Sequence, residues 1–441
     1  MVYNYGNIWK ISYPILVGLI IQQLIGLTDT AFLGRVGEIE LGASAIAGVF
    51  YIMIFMLGAG FSIGAQIITA RKNGEKNYHQ IGEIIYEGMA FLLSLAVVFI
   101  AFLQWGIPHA LAYLISDQQI NAAAAAYLYP RIYGFIFAFV IVMCRAFFVG
   151  ITMTKILTFN ALLMLFTNVL LDYLLIFGKW GFPALGIRGA AIASVISEAV
   201  SATFFIFYIF LKVDFKKYGF NHFRIFDLKT LKEILGTSVW TMAQSFVSFG
   251  TWFLFFVAIE HLGTEPLAIS NILRSLSSLP YMIAAALGAA ANSMTSNLIG
   301  SGRQDEVLPT ACRVIKLTYL IGLLFELIML FTPRLMMRIY TDNPELITAG
   351  TNAYYTMLTL YLTLVPGFIL FNVVSGTGNT RRAFVMEVIA MVFYIANIWY
   401  VVLYLRASVA VSWTCEHSYN IVLFLLAYFY LKRHPWQAKA L

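Results

Sequence analysis

Two acidic residues lie inside long apolar runs of this chain. Asp29 belongs to the run Ile11–Leu33, and Asp172 belongs to the run Thr154–Gly178. Asn168 precedes Asp172 by four positions, so a helix would place both side chains on one face. A carboxylate at membrane depth is costly and usually faces an interior cavity rather than lipid. These oxygen groups could therefore take up a proton or a small hard cation such as Na⁺.

The composition indicates what kind of fold must position these residues. The 441 residues are 61% hydrophobic and only 11% charged, whereas soluble proteins are about 45–50% apolar and about 25% charged. Runs of about 20 apolar residues recur between short polar loops. Because lipid leaves backbone groups no partner outside the segment, such runs predict an all-α integral membrane protein of about twelve transmembrane helices. The predicted spans are Ile11–Leu33, Leu41–Ala70, Ile81–Gln104, Asn121–Val149, Thr154–Gly178, Gly189–Leu211, Leu231–Ala258, Pro266–Leu298, Leu308–Phe331, Ile347–Val374, Ala383–Leu405 and Ser408–Leu431.

The net charge of +7 reflects orientation in a membrane rather than affinity for nucleic acid. The basic residues concentrate in alternate loops, as the positive-inside rule describes for cytoplasmic loops. We therefore expect both termini to be cytoplasmic, with no cleavable signal peptide before the first span. The basic residues on this side are Lys10, Arg71, Lys72, Lys76, Lys155, Lys212, Lys216, Lys217, Arg224, Lys229, Lys232, Arg303, Arg381, Arg382, Lys432, Arg433 and Lys439.

The sequence carries no signal for an enzyme cofactor. Cys144, Cys312 and Cys415 are far apart and form neither a disulfide framework nor a metal-binding spacing. The glycine-rich stretches lack the spacing of a phosphate-binding loop. A membrane-embedded enzyme is the alternative of another class, but no nucleophile with its base lies at a useful spacing. We expect no cofactor besides H⁺ or Na⁺ as a coupling ion.

The chain also contains an internal repeat. Val36–Ser44 resembles Leu262–Ser270, and Gly150–Thr154 resembles Gly376–Thr380 at the same separation. Each repeat holds six predicted spans, so both halves enter the membrane from the same side. Such repeats are related by a pseudo-two-fold axis along the membrane normal, with the substrate path between two bundles.

The repeat predicts the domain organisation. Residues 1–212 form an N-terminal six-helix bundle, residues 213–230 form a cytoplasmic linker, and residues 231–441 form a C-terminal six-helix bundle. At the repeat separation, Asp29 corresponds to Phe255 and Asp172 corresponds to Ile398. The N-terminal bundle is therefore expected to carry the acidic site.

Several segments in this order resemble the multidrug and toxic compound extrusion (MATE) family over nearly the whole chain. The segments are Asp29–Gly37, Gly58–Gln66, Ala70–Gly74, Asn168–Asp172, Gly186–Ser194 and Ala268–Ile272. The resemblance implies a secondary active multidrug antiporter that exports cationic or amphipathic small molecules in exchange for H⁺ or Na⁺ by alternating access. It also implies a multi-pass protein of the bacterial cytoplasmic (inner) membrane, and we expect a monomer in the lipid bilayer.

The chain is more similar to the DinF-like branch of that family than to the NorM-like branch. NorM-like members carry an acidic residue in span seven, where this chain has Gln244 and Ser248. In the DinF-like branch the resemblance implies a cation or proton site in the N-terminal bundle. The residues at the matching positions are Asp29, Asn168, Asp172 and Ser194.

Further polar residues are candidates for supporting roles. Arg145 could pair with Asp172 or with Glu198, and such a pair with Asp172 would favour H⁺ over Na⁺, since a single remaining carboxylate is a poor Na⁺ cage. Glu198 itself is interpreted as more structural than coupling. Glu387 lies nearer a span end, where its side chain could reach the interface. Candidate polar residues of the substrate path are Gln22, Gln23, Gln244 and Ser248.

Each of these interpretations has a competitor. Asp29 could instead hydrogen-bond to Thr28 or Thr30 as a structural acid, and Asn168 and Ser194 could simply join helices. A lipid-linked oligosaccharide flippase of the same superfamily is the alternative function. Such a protein usually has more spans and a cation-rich cavity for a pyrophosphate, whereas the cavity acids here are negative.

Overall fold

The computed structural model describes residues 3–115, 117–221 and 227–433, and the described residues are helical without any strand. The all-α prediction is confirmed. Within those residues, two short helical segments depart from α-helical geometry: a 3₁₀ turn at Gln304–Glu306 and a π-helical segment at Trp399–Tyr404. The α-helices are α1 (Tyr5–Val36), α2 (Glu38–Gly74), α3 (His79–Leu114), α4 (Gln118–Arg131), α5 (Gly134–Gly150), α6 (Lys155–Phe177), α7 (Ile187–Lys212), α8 (Leu228–Glu260), α9 (Thr264–Gly300), α10 (Val307–Phe331), α11 (Pro333–Arg338), α12 (Pro344–Gly376), α13 (Thr380–Ile398), α14 (Val409–Ser412) and α15 (Thr414–Lys432).

Within the described residues, ten helices are long and apolar enough to cross a membrane. Helices α4 and α5 pass the same test only as a pair, which bends by 53° at their break. Their break follows Pro130, which lacks an N–H group and whose ring clashes with the preceding turn. The predicted twelfth span corresponds to α14 and α15, which are not among the ten.

The chain forms two compact units, one of Val17–Met242 and one of Met1–Leu16 with Ala243–Leu441. Both divisions fall inside helices, in α1 and α8, whereas the predicted domains follow the loops. The assignment of six spans to each half stays a prediction. The predicted linker 213–230 lies partly outside the described residues, as do Arg224 and Lys439. Its described part accepts hydrogen bonds from α3, through Gly82 N–H to Tyr218 O at 2.8 Å and Tyr86 hydroxyl to Phe220 O at 2.7 Å.

The unit Val17–Met242 is held by helix pairs that approach closely. Its largest fully buried side chains are mostly phenylalanines, which include Phe61, Phe139 and Phe148. The beginning of α8 lies against α2, where the Thr241 hydroxyl donates to Gly60 O at 2.7 Å. The Ser238 hydroxyl likewise donates to Phe61 O at 3.0 Å. Glycines permit this approach because they leave the helix surface without a Cβ.

Gly60→Ala is expected to destabilise the protein, whereas Gly48→Ala on the same helix is not. A Cβ at Gly60 would lie 2.6 Å from Met242 Cα and 2.7 Å from Thr241 O, while a Cβ at Gly48 meets nothing within 4 Å. Overpacking of a tight contact costs about 1–3 kcal/mol. Thermal unfolding in detergent should therefore rank Gly60→Ala below both wild type and Gly48→Ala. Equal stability of the two variants would contradict the close packing of α2 and α8.

Candidate functional site

Three of the predicted site residues meet in the unit Val17–Met242. Helix α1 supplies Asp29, and α6 supplies Asn168 and Asp172 from one face. The Asn168 amide is oriented by its surroundings, because only carboxyl oxygens face its nitrogen. That nitrogen donates to Asp29 Oδ1 at 3.1 Å and to Asp172 Oδ2 at 3.2 Å. Asn168 and Asp172 are fully buried, and Asp29 is half-buried. The amide thus bridges two carboxyl groups from different helices.

The two carboxyl groups also lie within hydrogen-bonding reach of each other. Two ionised carboxylates within hydrogen-bonding reach repel each other, so their contact requires a shared proton or a cation between them. Asp172 Oδ1 has no hydrogen-bond partner among the residues that the structure describes. The arrangement can therefore store and release positive charge inside an apolar bundle.

Thr28 and Thr30, the neighbours of Asp29 on α1, make no hydrogen bond to its carboxyl group, which contacts residues of α6 instead. The Thr28 hydroxyl donates to Leu24 O at 2.9 Å, and the Thr30 hydroxyl donates to Gly26 O at 2.8 Å. Both threonines thus return their hydrogen bonds to their own helix. The alternative in which Asp29 pairs with Thr28 or Thr30 is not what the structure contains.

Ser194 lies on α7 and is buried, but its hydroxyl makes no hydrogen bond to Asp29, Asn168 or Asp172 in the described structure. The backbone oxygen of Ser194 accepts from the Ser197 hydroxyl at 2.8 Å. The structure therefore brings together three of the four residues of the predicted site. A role for Ser194 as a ligand stays a prediction.

The predicted partner of Glu198 is wrong. Glu198 binds Arg131, whose Nη1 donates to Oε2 at 2.7 Å and whose Nη2 donates to Oε1 at 2.6 Å. The guanidinium carbon also lies 3.8 Å from the centre of the Tyr51 ring. Arg145 forms no ion pair within the described ranges, with either Glu198 or Asp172. The predicted pair of Arg145 with Asp172, from which the sequence analysis favoured H⁺ over Na⁺, is therefore absent.

Sequence reasoning missed Arg131, although a signal was available. Arg131 lies inside the predicted span Asn121–Val149, as Arg145 does, and it follows Pro130 directly. A proline in a span marks a helix break, and the break turns the end of α4 towards Glu198 on α7. Gly134 leaves room for the pair, because a Cβ there would lie 2.3 Å from Arg131 Nη1 and 2.6 Å from Glu198 Oε2.

The candidate path residues fall in different settings. Gln22 and Gln23 are exposed on α1, and Gln244 is half-buried on α8. The Ser248 hydroxyl donates to Glu387 Oε1 at 2.7 Å. Glu387 is only 2% exposed, so the interpretation of its side chain as reaching the interface is wrong.

Comparison with known proteins places the chain among transporters. The MatE family model matches residues 14–174 and 241–399, which is well over half of the chain. A probable multidrug resistance protein NorM from Thermotoga maritima is 26% identical over 87% of this chain and 82% of that protein.

Two solved structures share the fold. An outward-facing multidrug resistance MATE family transporter of the MOP superfamily has a TM-score of 0.89 at 18% identity, over 97% of this chain and 95% of that one. A MOP superfamily transporter from Pyrococcus furiosus has a TM-score of 0.88 at 17% identity, with the same coverage of both chains.

Proposed function

We propose a coupling site for this chain, which belongs to the MatE family and is a multidrug efflux transporter rather than an enzyme. The site consists of Asp29, Asn168 and Asp172. The observation that carries the proposal is the contact of the fully buried Asp172 carboxyl group with the half-buried Asp29 carboxyl group under one bridging amide. Uptake of a cation at this site on one side of the membrane, and its release on the other, would drive export of substrate as antiport.

The coupling ion is a proton in this proposal. The pair Asp29 and Asp172 can share one proton and thereby lose the repulsion between two carboxylates. Na⁺ prefers a fuller shell of oxygen ligands, as hard cations do. Besides the two carboxyl groups the site offers one amide, that of Asn168, whose nitrogen donates to both acids. The proton therefore fits the bonding pattern better than the metal ion.

The remaining features of the proposal follow from charge and composition. The site is acidic, which favours cationic or amphipathic substrates over the pyrophosphate of a lipid-linked oligosaccharide. Both termini lie in the cytoplasm because the basic loops concentrate on that side, and the protein resides in a bacterial inner membrane as a monomer. Span seven has Gln244 and Ser248 where NorM-like members carry an acidic residue, which supports assignment of the chain to the DinF-like branch.

The choice of ion is tested by efflux from proteoliposomes under one gradient at a time. A pH gradient in nominally Na⁺-free buffer is expected to drive export of a fluorescent lipophilic cation. A Na⁺ gradient at equal pH on both sides is expected to drive none. Asp305→Asn, which changes an exposed acid outside the spans, serves as the control. Transport with the Na⁺ gradient alone would refute the proton proposal.

A further inference from the structure

The unit with Ala243–Leu441 contains a pocket at the end of its helices that lies opposite the basic loops. Its volume is about 420 Å³, which is within the range of pockets that bind small molecules. The end of α8, the beginning of α9, the first part of α12 and the segment that leads into α14 form its walls. The polar residues that line it are His261, Glu265, Asn352, Arg406 and Ser408.

Two opposite charges line this pocket without pairing. The side chains of Arg406 and Glu265 are exposed and form no ion pair, with each other or with any other residue that the structure describes. The Asn352 side chain is also exposed. His261 is engaged by its own helix, since its Nδ1 lies 2.8 Å from Val257 O. A ligand with one negative and one positive group therefore finds a partner for each charge in this pocket.

The backbone holds Arg406 in an unusual conformation. Its φ of +46° is left-handed, which is unfavourable for residues other than glycine. Arg406 follows the π-helical segment, whose end is closed by hydrogen bonds from Leu405 N–H to Tyr400 O at 2.9 Å and from Ala407 N–H to Val401 O at 3.1 Å. Both π-helical turns and strained residues concentrate at functional sites. This combination indicates that the Arg406 side chain has a role beyond ending a helix.

Three aromatic side chains of the π-helical segment indicate the depth of the pocket in the membrane. Trp399, Tyr400 and Tyr404 are 60%, 51% and 67% exposed. The Tyr404 ring stacks on each of the other two, with ring centres 5.9 Å apart in both pairs. Trp and Tyr favour the membrane–water interface, and the predicted span Ala383–Leu405 ends here. The pocket therefore lies at the level of phospholipid headgroups, beside a helix surface that acyl chains can contact.

We propose that this pocket binds the headgroup of a phospholipid that carries a primary ammonium, as phosphatidylethanolamine does. The lipid phosphate accepts hydrogen bonds from the Arg406 guanidinium, whose planar fork matches phosphate oxygens. The ammonium donates to the Glu265 carboxylate and to the Asn352 amide oxygen. A soluble zwitterion offers the same two charges, but the exposed aromatic rings beside the pocket favour a lipid as their source. The proposal does not depend on the coupling ion or on Asp29.

Native mass spectrometry of the full-length protein in detergent tests the proposal, because it counts bound lipid molecules. Dioleoylphosphatidylethanolamine and dioleoylphosphatidylcholine are added in equal amounts. They share acyl chains and a phosphate, but the choline ammonium has no N–H group. Because a charge-assisted hydrogen bond is lost with choline, wild type is expected to bind the ethanolamine lipid about tenfold more tightly.

Substitutions of the two charged residues separate their roles. Glu265→Gln is expected to bind both lipids equally, because it no longer attracts the ammonium. Arg406→Gln is expected to weaken binding of both lipids about tenfold, because both carry the phosphate. Arg406→Lys keeps the positive charge without the planar fork, so it is expected to bind more tightly than Arg406→Gln.

The matched controls are Arg338→Gln and Glu345→Gln. Both residues are exposed at the ends of helices on the same side as the pocket, but they do not line it. Each control is expected to bind the two lipids as wild type does. Thermal unfolding in detergent without added lipid verifies that all variants fold.

Several outcomes would overturn the proposal. Equal binding of the two lipids by wild type would do so without any substitution, and this comparison holds even if a variant fails to fold. A wild-type preference in Glu265→Gln would also contradict it. O-phosphoethanolamine, which has both charges but no acyl chains, distinguishes the two sources of the headgroup. It is expected not to displace the lipid at equal concentration, and displacement would show that the pocket binds a soluble zwitterion instead.

Discussion

Asp29→Asn is expected to reduce gradient-driven efflux to the rate of vesicles without protein, while the variant folds as wild type does. Asparagine has the size of aspartate, and its carbonyl oxygen can still accept from the Asn168 nitrogen that now lies 3.1 Å from Asp29 Oδ1. What the variant loses is the ability to gain and release a proton, and with it the proton shared with Asp172. Transport of a fluorescent lipophilic cation in proteoliposomes measures the effect.

Asp305→Asn is the matched control, since it makes the same chemical change at an exposed position. It is expected to transport at the wild-type rate. Thermal unfolding in detergent verifies that Asp29→Asn retains its fold. A folded Asp29→Asn protein that exports as fast as wild type under the same pH gradient would show that Asp29 is structural.

Breaking the ion pair between Arg131 and Glu198 is expected to have the largest effect on stability. Both side chains are largely buried, with 11% and 8% exposure, and their closest atoms are 2.6 Å apart. Removal of one partner leaves the other charge unpaired in an apolar bundle, which costs about 3–5 kcal/mol. Glu198→Gln and Arg131→Gln should each lower the free energy of unfolding by this amount. Arg131→Met combined with Glu198→Leu removes both charges and should lower it less.

The matched control is the ion pair of Lys72 and Glu75, whose atoms lie 3.4 Å apart and whose side chains are 17% and 35% exposed. Water and salt screen such a pair, so Glu75→Gln should change the free energy of unfolding by no more than about 1 kcal/mol. Chemical unfolding in mixed detergent micelles compares the variants. Similar losses for Glu198→Gln and Glu75→Gln would mean that the Arg131 pair is not desolvated.

The sequence was sufficient to predict the transmembrane helices and the three residues at the centre of the acidic site. Apolar runs of membrane length locate the helices, and the four-residue spacing of Asn168 and Asp172 predicts their common face. Resemblance to a family supplied the third member, Asp29, from another helix. These features depend on local periodicity or on the order of segments that resemble a family, so they can be read along the chain.

The partners of Glu198 and Glu387 could not be predicted in the same way. Glu198 had two arginines within one predicted span, and the bend after Pro130 decides which of them reaches it. The repeat counterparts of Asp29 and Asp172 are Phe255 and Ile398, so the internal repeat does not indicate Glu387. Its surroundings come from α8 and α15, far apart in sequence, so only the packed bundle reveals that this carboxyl group is buried.

The contact of α8 with Gly60 and Gly64 bears on the biosynthesis of the protein. The first compact unit ends at Met242, inside the seventh helix in the predicted order. The groove over Gly60 is filled by Thr241 and Met242, and that over Gly64 is filled by Ser238. A nascent chain that has emerged only as far as Lys212 therefore lacks the segment that closes this groove. The first six predicted spans are thus an incomplete folding unit, which is completed only after the beginning of α8 has been synthesised.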